Sequence, residues 1–383
     1  MRKYVVLIMM IFGCQGNEMS NPSKIFIDLD DTESAYFSDF FSKIEYVLID
    51  VPETVPFVKP WKLVFTPKHI LVNDREMSNL LIFDKNGVFQ NIIRSNGRGP
   101  KEFSFINDFQ VHENNILILD GSLKKVLHFD MEGNFLHEDF IDFQPRIFTS
   151  YKNTGLYYFG NSPEIEDFTI VKKVGSKTEG VKALNPYLEG INYGSILGFQ
   201  KGHNKNIEYL KLDPSYEIIF FDNEKQISSS IEFDFGKYNF PIEKRKSITF
   251  SPERFDFLSN GQIVEMIFSF LSLKEKYWMT VNQNGLNVKF AILNSEFHPD
   301  KIIDNFINDL DGLKTDFSPF TVEGDNIVTF KSSLDFFNDY NDSFQNGITG
   351  TQESDVSNIH DFVKSNSDKL KSDNYVVVKY EIQ

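Results

Sequence analysis

Arg98 and Glu102 are the clearest pair of side chains whose types and spacing could do chemistry. Both lie in the Gly-rich segment Gly97-Arg98-Gly99-Pro100-Lys101-Glu102-Phe103. Glycine lets a backbone approach a ligand closely, and backbone N–H groups beside a guanidinium can bind an anion. The segment lacks the Lys-Ser/Thr end of a phosphate-binding loop. We therefore predict that Arg98 and Glu102 either bind a ligand or, as the pattern favours, clamp two neighbouring units of the fold together.

The seven histidines give no local metal-binding pattern, because no two are spaced i, i+4 and no His-x-His occurs. A single Cys excludes a Cys-based zinc cluster, and the Gly-x-Ser-x-Gly signature of a serine nucleophile is absent. His128 alternates with apolar neighbours, which favours a place between strands over a role as a ligand. The sequence therefore predicts no catalytic residue, no metal site and no cofactor. Scattered side chains at a channel mouth could still form a calcium or acid–base site.

Asp74 and Asp120 stand at equivalent places, each at the end of an apolar strand and before a turn. Carboxylates repeated around a channel could bind a cation or a sugar hydroxyl. Asp also commonly accepts hydrogen bonds from backbone N–H groups of the turn that follows it, and the repetition favours this role. The acidic run Asn338-Asp339-Tyr340-Asn341-Asp342 lacks the Gly and Glu of an EF-hand, so we predict a solvated loop there.

Cys14 is the single cysteine and directly follows an apolar stretch near the N-terminus. Arg2 and Lys3 precede that stretch, residues 4–12, which is too short to span a bilayer. Its end, Ile11-Phe12-Gly13-Cys14, resembles the lipobox of bacterial lipoproteins, whose Cys receives a diacylglycerol. The resemblance implies a lipoprotein signal peptide over residues 1–13, lipidation of Cys14, and a flexible tether over residues 14–24.

The composition excludes several classes of protein. The 383 residues include 55 acidic and 39 basic side chains, so the formal charge is −16. No surplus of Lys and Arg is left to follow a phosphate backbone, which argues against nucleic acid as a partner. No apolar run reaches the about 20 residues of a transmembrane helix. The chain has 40 Phe and 15 Tyr but three Ala, a balance that favours an all-β body.

Two stretches of the chain repeat at a spacing of 46 residues. Ile70-Leu71-Val72-Asn73-Asp74 matches Ile116-Leu117-Ile118-Leu119-Asp120, and Leu80-Leu81-Ile82-Phe83-Asp84 matches Val126-Leu127-His128-Phe129-Asp130. A period in the forties is typical of four-stranded propeller blades. Weaker copies follow, and together they predict a single six-bladed β-propeller over residues 25–383.

The ends of the chain are predicted to complete the last blade together. Residues 43–49 alternate like a strand and are expected to pair with residues 375–380, which removes free sheet edges. Gly87 and Gly133 are expected in the hairpins that join the third and fourth strands of the first two blades.

Three further segments carry predictions of their own. Two short helical insertions are predicted, at residues 300–310 and at residues 359–370, because apolar side chains recur there at helical spacing. Residues 333–355 are polar with few signals and are predicted to form a long loop.

The Gly-rich segment, the hairpin Phe83-Asp84-Lys85-Asn86-Gly87 and the strand at residues 116–120 together resemble a known family. They look like the six-bladed β-propeller lipoproteins of Gram-negative anaerobes, relatives of the NHL-repeat propellers. That family carries a G-x-G-P-x-E-[FY] segment after its first blade, and the matching residues here are Gly97, Gly99, Pro100, Glu102 and Phe103. The resemblance implies a location in the cell envelope, lipid-anchored to the outer membrane on its periplasmic or surface face.

Two classes of function fit these features of the sequence, and a third is compatible with them. The first is a non-enzymatic binding module that holds an unknown ligand or envelope protein, such as a carbohydrate or peptide, at one channel mouth. We expect it to be monomeric and to contact the membrane through its lipid alone. The alternative is a lactonase-like or lyase-like enzyme with a divalent cation at the channel mouth, and a structural subunit of an outer-membrane complex is the third. Because no catalytic set is visible, the sequence favours the binding module.

Overall fold

Six β-sheets follow one another along the chain and form the blades of a propeller. The computed structural model describes residues 22–94, 97–151, 153–191, 197–202, 206–248, 251–284, 287–344 and 355–383. Within these residues, blades 1 to 3 are sheets of four consecutive strands. The strands are β4 (Pro60–Phe65), β5 (His69–Asp74), β6 (Asn79–Asp84) and β7 (Phe89–Arg94) in blade 1, β8 (Asp108–His112), β9 (Asn115–Asp120), β10 (Lys125–Asp130) and β11 (Phe135–Phe140) in blade 2, and β12 (Ile147–Tyr151), β13 (Thr154–Tyr158), β14 (Phe168–Val174) and β15 (Lys177–Ala183) in blade 3.

Blades 4 to 6 also take up three strands from the N-terminal region of the chain. Their own strands are β16 (Gln200–Lys201), β17 (Glu208–Leu212), β18 (Glu217–Phe221) and β19 (Ile227–Asp234) in blade 4, β20 (Val264–Leu273), β21 (Lys276–Gln283), β22 (Asn287–Leu293) and β23 (Pro299–Ile307) in blade 5, and β24 (Thr321–Glu323), β25 (Asn326–Ser332) and β26 (Tyr375–Ile382) in blade 6. The N-terminal strands are β1 (Ser23–Phe26), β2 (Glu33–Tyr36) and β3 (Phe41–Ile49).

The N-terminal strands lie on the outer edges of the last three blades. β1 is parallel to β19, and β2 is parallel to β23. β3 is antiparallel to β26, in a register that runs from Ile49 opposite Tyr375 to Phe41 opposite Ile382. Because β1 begins at Ser23, the sheet structure starts two residues before the predicted start of the propeller.

The apolar core lies between the blades. Among the described residues it divides into six clusters of buried side chains, each shared by two adjacent blades. Leu80 of blade 1 and Ile118 of blade 2 belong to one of them, and Phe83 of blade 1 and Val377 of blade 6 belong to another. Because the last cluster joins the first blade to the sixth, the apolar packing continues around the ring.

Both predicted hairpins are confirmed, and one of them also contacts β3. Gly87 and Gly133 have φ of +81° and +84°, the left-handed region that suits glycine. The carbonyl of Gly87 accepts a hydrogen bond from the N–H of Asp50 at 3.1 Å. A Cβ at Gly87 would lie 1.8 Å from the backbone oxygen of Leu48 in β3. Glycine is therefore required where blade 1 meets the N-terminal strand.

Four α-helices lie in the described part of the chain, two between blades 4 and 5 and two between β25 and β26. They are α1 (Ile242–Ile248), α2 (Glu253–Gly261), α3 (Ser333–Phe344) and α4 (Ile359–Asn366). The helix predicted at residues 359–370 is confirmed by α4 and the 3₁₀ turn that follows it, with Ile359 and Leu370 buried between blades 5 and 6.

Two local predictions are wrong. The helix predicted at residues 300–310 is largely strand β23, because β22 and β2 lie on either side and supply hydrogen-bond partners for an extended chain. The loop predicted at residues 333–355 begins with helix α3, whose Phe336 and Tyr340 pack on the core between blades 5 and 6. The acidic run is thus helical, and its Asp339 forms an ion pair with Lys331. Residues 345–354 lie outside the described residues.

Candidate functional site

The first strands of the blades surround a cavity on the axis of the ring. Its lining comes from β4, β8, β16 and β24, with Thr149 from β12, so five blades contribute. The volume is about 470 Å³, within the range of about 300–1,000 Å³ that is typical of small-molecule sites. Its mouth lies at the turns after β4 and β8, where Thr66, Glu113 and Asn114 line the rim.

The inner end of this cavity, which we call the cavity floor, holds a buried ion pair. Lys62 Nζ donates to Asp108 Oδ1 at 2.7 Å and to the carbonyl of Phe109 at 2.9 Å. Asp108 also accepts the backbone N–H groups of Phe109 at 2.9 Å and Phe148 at 3.2 Å. Burial raises the pKa of the Asp108 carboxyl, although Lys62 opposes this shift. The pair therefore joins blades 1, 2 and 3 without placing an open charge in the cavity.

The chain leading into blade 4 lies against the cavity floor. Gly198 has a φ of +66°, and a Cβ there would lie 3.3 Å from Asp108 Oδ2 and 3.5 Å from Lys62 Nζ. Leu197 packs against the cluster between blades 5 and 6 and against the cluster between blades 6 and 1. This segment therefore lies beside Lys62 and Asp108 and contributes Leu197 and Phe199 to the lining of the cavity.

Hydrogen bonds within blade 4 and between blades 3 and 4 fix several polar groups of the cavity wall. Thr149 Oγ1 donates to Glu208 Oε2 at 3.0 Å, and Lys225 forms an ion pair with the same carboxylate. Gln200 Oε1 accepts the hydroxyl of Tyr209 at 3.1 Å. A wall held in this way is already ordered before a ligand binds, which reduces the entropic cost of binding.

The remaining lining combines aromatic faces with polar groups near the mouth. Phe65, Phe109 and Phe199 come from three different blades. Lys201 is exposed, and among the described residues neither its ammonium nor the Asn114 amide has a hydrogen bond to protein. Aromatic faces with amide, hydroxyl and ammonium donors match a small ligand that carries both apolar and polar surface.

Arg98 and Glu102 lie on the connection between β7 and β8 and do not line the cavity. Glu102 Oε2 accepts the N–H of Gly99 at 2.9 Å, and Lys125 Nζ donates to the carbonyl of Gly99 at 3.1 Å. Phe103 is buried in the cluster between blades 1 and 2. Arg98 is exposed, and within the described residues it forms no ion pair with Glu102. Glu102 is thus bonded within its own segment, while Lys125 and Phe103 tie that segment to the neighbouring blades. Both the clamp role and ligand binding by Arg98 and Glu102 stay predictions.

Asp74 and Asp120 accept backbone hydrogen bonds, which confirms their structural role. Both side chains are fully buried. Asp120 accepts the N–H groups of Ser104 at 2.7 Å, Phe105 at 3.3 Å and Leu123 at 2.9 Å. Asp74 accepts the N–H of residue 76 at 3.0 Å in the following turn. Asp120 thus holds the chain that enters blade 2, and Asp74, which also accepts the N–H of Val58, holds the chain that enters blade 1.

Cys14 and the predicted signal peptide lie outside the described residues, so lipidation stays a prediction. Within the described ranges, each helix is too short or too polar to cross a membrane.

The sequence contains one further signal for the cavity. Lys62 and Asp108 are 46 residues apart, the same spacing as the repeat, so they occupy equivalent places in blades 1 and 2. The repeat is plainest in second and third strands, whereas the cavity is lined by first strands. Extending the repeat by one strand towards the N-terminus places these two residues side by side at the axis.

We compared the chain with curated proteins by sequence and with solved structures by fold. None of the curated proteins matches the chain significantly in sequence. The crystal structure of a candidate exported protein from Bacteroides fragilis aligns with a TM-score of 0.71 at 15% identity, covering 95% of this chain and 100% of that chain. A member of the DUF4221 family from Bacteroides vulgatus aligns with a TM-score of 0.51 at 9% identity, covering 90% of this chain and 97% of that one. At these identities the likeness shows the fold alone.

A family model gives the last comparison. The model described as DUF5128, 6-bladed beta-propeller, matches residues 15–330, which is most of the chain. With six blades seen in the structure and the same number in the family description, the chain belongs to the DUF5128 family of six-bladed β-propellers.

Proposed function

We propose that the protein is a lipid-anchored binding module of the cell envelope that holds a small ligand in its axial cavity. One observation carries the proposal: a preformed recess of about 470 Å³ that is lined from five blades. Three phenylalanines and several amide and hydroxyl groups face this space. A short carbohydrate or a short peptide offers the matching combination of apolar faces and hydrogen-bonding groups.

The lining favours binding over metal-dependent catalysis. Among the described lining residues the carboxylates are Glu113 and Glu208, and Glu208 is ion-paired with Lys225. A catalytic divalent cation of the hard type prefers several oxygen ligands. The lactonase-like or lyase-like alternative would need such a set at this mouth, so we favour a non-enzymatic module.

Isothermal titration with a panel of mono- and disaccharides and of di- and tripeptides tests the binding proposal. Thr321→Trp fills the cavity from blade 6, and Thr178→Trp is the matched control on outer strand β15, since both threonines are half-buried. We expect a ligand of the panel to bind wild type and the control equally, and the cavity variant at least about tenfold more weakly. Equal affinity for Thr321→Trp would place the ligand elsewhere, and no binding across the panel would reject both ligand classes.

The sequence supports the proposal that a lipid on Cys14 anchors the protein to the outer membrane. A diacylglycerol provides about 0.8 kcal/mol of membrane affinity per buried methylene. Cys14→Ala should abolish incorporation of labelled fatty acid and release the protein from the membrane fraction. A variant that still fractionates with membrane after signal cleavage would show that the anchor is not this thiol.

A further inference from the structure

Two histidines and an aspartate come together on the outer half of blade 2, away from the axial cavity. The hairpin of β10 and β11 places His128 directly opposite His137. Their rings stack with centroids 4.0 Å apart and planes 15° apart. Asp139 lies two residues after His137 and points to the same face, because side chains alternate along a strand.

The possible ligand atoms of these side chains already lie close together. Asp139 Oδ2 is 3.0 Å from His128 Nε2 and 4.0 Å from His137 Nε2. One nitrogen from each ring and one carboxylate oxygen all lie within 4.8 Å of one another. In a tetrahedral zinc site, bonds of about 2.0–2.1 Å set the ligand atoms about 3.4 Å apart. Small rotamer adjustments are therefore enough to bring all three onto one ion.

The burial of the three side chains suits an ion that enters from solvent. The side chain of His128 is 15% exposed, whereas those of His137 and Asp139 are 57% and 63% exposed. The strand neighbours Leu117 and Val126 belong to the apolar cluster between blades 2 and 3 and support the buried side of the site. One ligand is thus fixed by packing, and the other two are free to close on an ion.

A simple hydrogen bond accounts for only part of this arrangement. It explains the contact between His128 and Asp139, but it does not need a second imidazole stacked on the first with its Nε2 turned to the same carboxylate oxygen. Two imidazole nitrogens and one carboxylate are ligands that zinc accepts, and neighbouring first-row divalent ions accept them too. Calcium and magnesium prefer oxygen ligands and do not fit.

We propose that His128, His137 and Asp139 form a site for a divalent transition metal, with Zn²⁺ as the preferred ion and water at the remaining position. The site joins the last two strands of blade 2 across their hairpin. It is separate from the ligand cavity and does not rest on the proposed function.

Zinc titration of the full chain after chelator treatment tests this site. We expect one equivalent of Zn²⁺ to bind wild type, and His137→Gln to lose this binding. His298→Gln changes an exposed histidine in blade 5 outside the cluster and should retain it. Because His137 is exposed, its replacement should leave the fold intact, which circular dichroism checks.

A second readout separates this site from other zinc ligands. Co²⁺ should give a visible absorption spectrum of a four-coordinate site in wild type and in His298→Gln, and the spectrum should be missing in Asp139→Asn and His137→Gln. Failure of wild type to bind stoichiometric Zn²⁺ at micromolar concentration would overturn the proposal. Equal binding by His137→Gln would overturn it too, and would direct attention to a metal site elsewhere in the chain.

Discussion

Replacing Gly87 by Ala should destabilise the protein much more than the same change at Gly133. The two glycines occupy equivalent hairpins with φ of +81° and +84°, so the backbone cost of the new Cβ, about 1–2 kcal/mol, is shared. At Gly133 the Cβ would meet the side chains of Asn91 at 3.1 Å and Ile93 at 3.3 Å, which can shift. At Gly87 it would lie 1.8 Å from the carbonyl oxygen of Leu48, so the backbone of β3 or of the hairpin must move.

The difference between the two variants can be estimated from these contacts. Displacing a packed backbone costs about 1–3 kcal/mol, and losing the hydrogen bond from Asp50 to Gly87 costs about 1 kcal/mol more. We therefore expect Gly133→Ala to lower the free energy of unfolding by about 1–2 kcal/mol and Gly87→Ala by about 3–6 kcal/mol.

Urea unfolding followed by tryptophan fluorescence measures both values through Trp61 and Trp278. Hydrogen exchange gives an independent readout, because the amides of β3 should lose protection in Gly87→Ala and keep it in Gly133→Ala. If the two variants unfold within about 1 kcal/mol of each other, the close contact between blade 1 and β3 does not exist as described.

Three further predictions concern the buried polar groups. Asp120→Ala removes the acceptor of three backbone N–H groups and should lower the free energy of unfolding in urea by about 3 kcal/mol or more, with Asp120→Asn intermediate. Equal stability of wild type and both variants would contradict the role of the carboxylate. Lys62→Met leaves Asp108 buried without its cation and should lower the free energy of unfolding by about 3–5 kcal/mol. The double variant Lys62→Met/Asp108→Leu should lose less stability than the two single variants added together. Additive losses would mean that the two side chains are not coupled. Burial raises the pKa of Tyr157 to about 12, from about 10 in the unfolded chain, so the protonated phenol favours the folded state. The contribution of this group to the free energy of unfolding, about 2–3 kcal/mol, is intact below pH 10 and is lost as the pH rises through 12. A free energy of unfolding that does not change up to pH 12 would contradict this prediction.

The sequence predicted the blades where repetition and strand period agree. The 46-residue repeat located blades 1 and 2 together with the hairpins at Gly87 and Gly133. Position in a repeat carries tertiary information, because equivalent residues occupy equivalent places around an axis. That is also why the sequence alone indicated a structural role for Asp74 and Asp120.

Predictions failed where the deciding partner is distant in sequence. Ile302, Ile303 and Phe306 fit one face of a helix, and it is β22 and β2 on either side that make this segment a strand. β1 and β2 are four residues each and pair in parallel with strands much later in the chain, so no local pattern marks them.

The site was harder to predict than the fold. The cavity depends on first strands that vary between blades, and no local motif joins Phe65, Phe109 and Phe199. The predicted hairpin at residues 130–133 brings the strands of His128 and His137 together, but a register shift between His128 and Phe129 is needed to place the two histidines opposite each other. The hairpin alone therefore did not predict their stacking. A search for metal ligands by spacing along the chain misses pairs that face each other across two strands.

The placement of the three N-terminal strands also sets the order in which the molecule can fold. The earliest described strands find their partners far along the chain, because Ser23 pairs with Ile231, Glu33 with Ile303 and Ile49 with Tyr375. Contacts of such long sequence separation require large loops to close first, which slows folding. A nascent chain would therefore keep β3 unpaired until nearly all of it has emerged. Loss of the eight residues Tyr375–Ile382 would remove both a strand of blade 6 and the partner of β3.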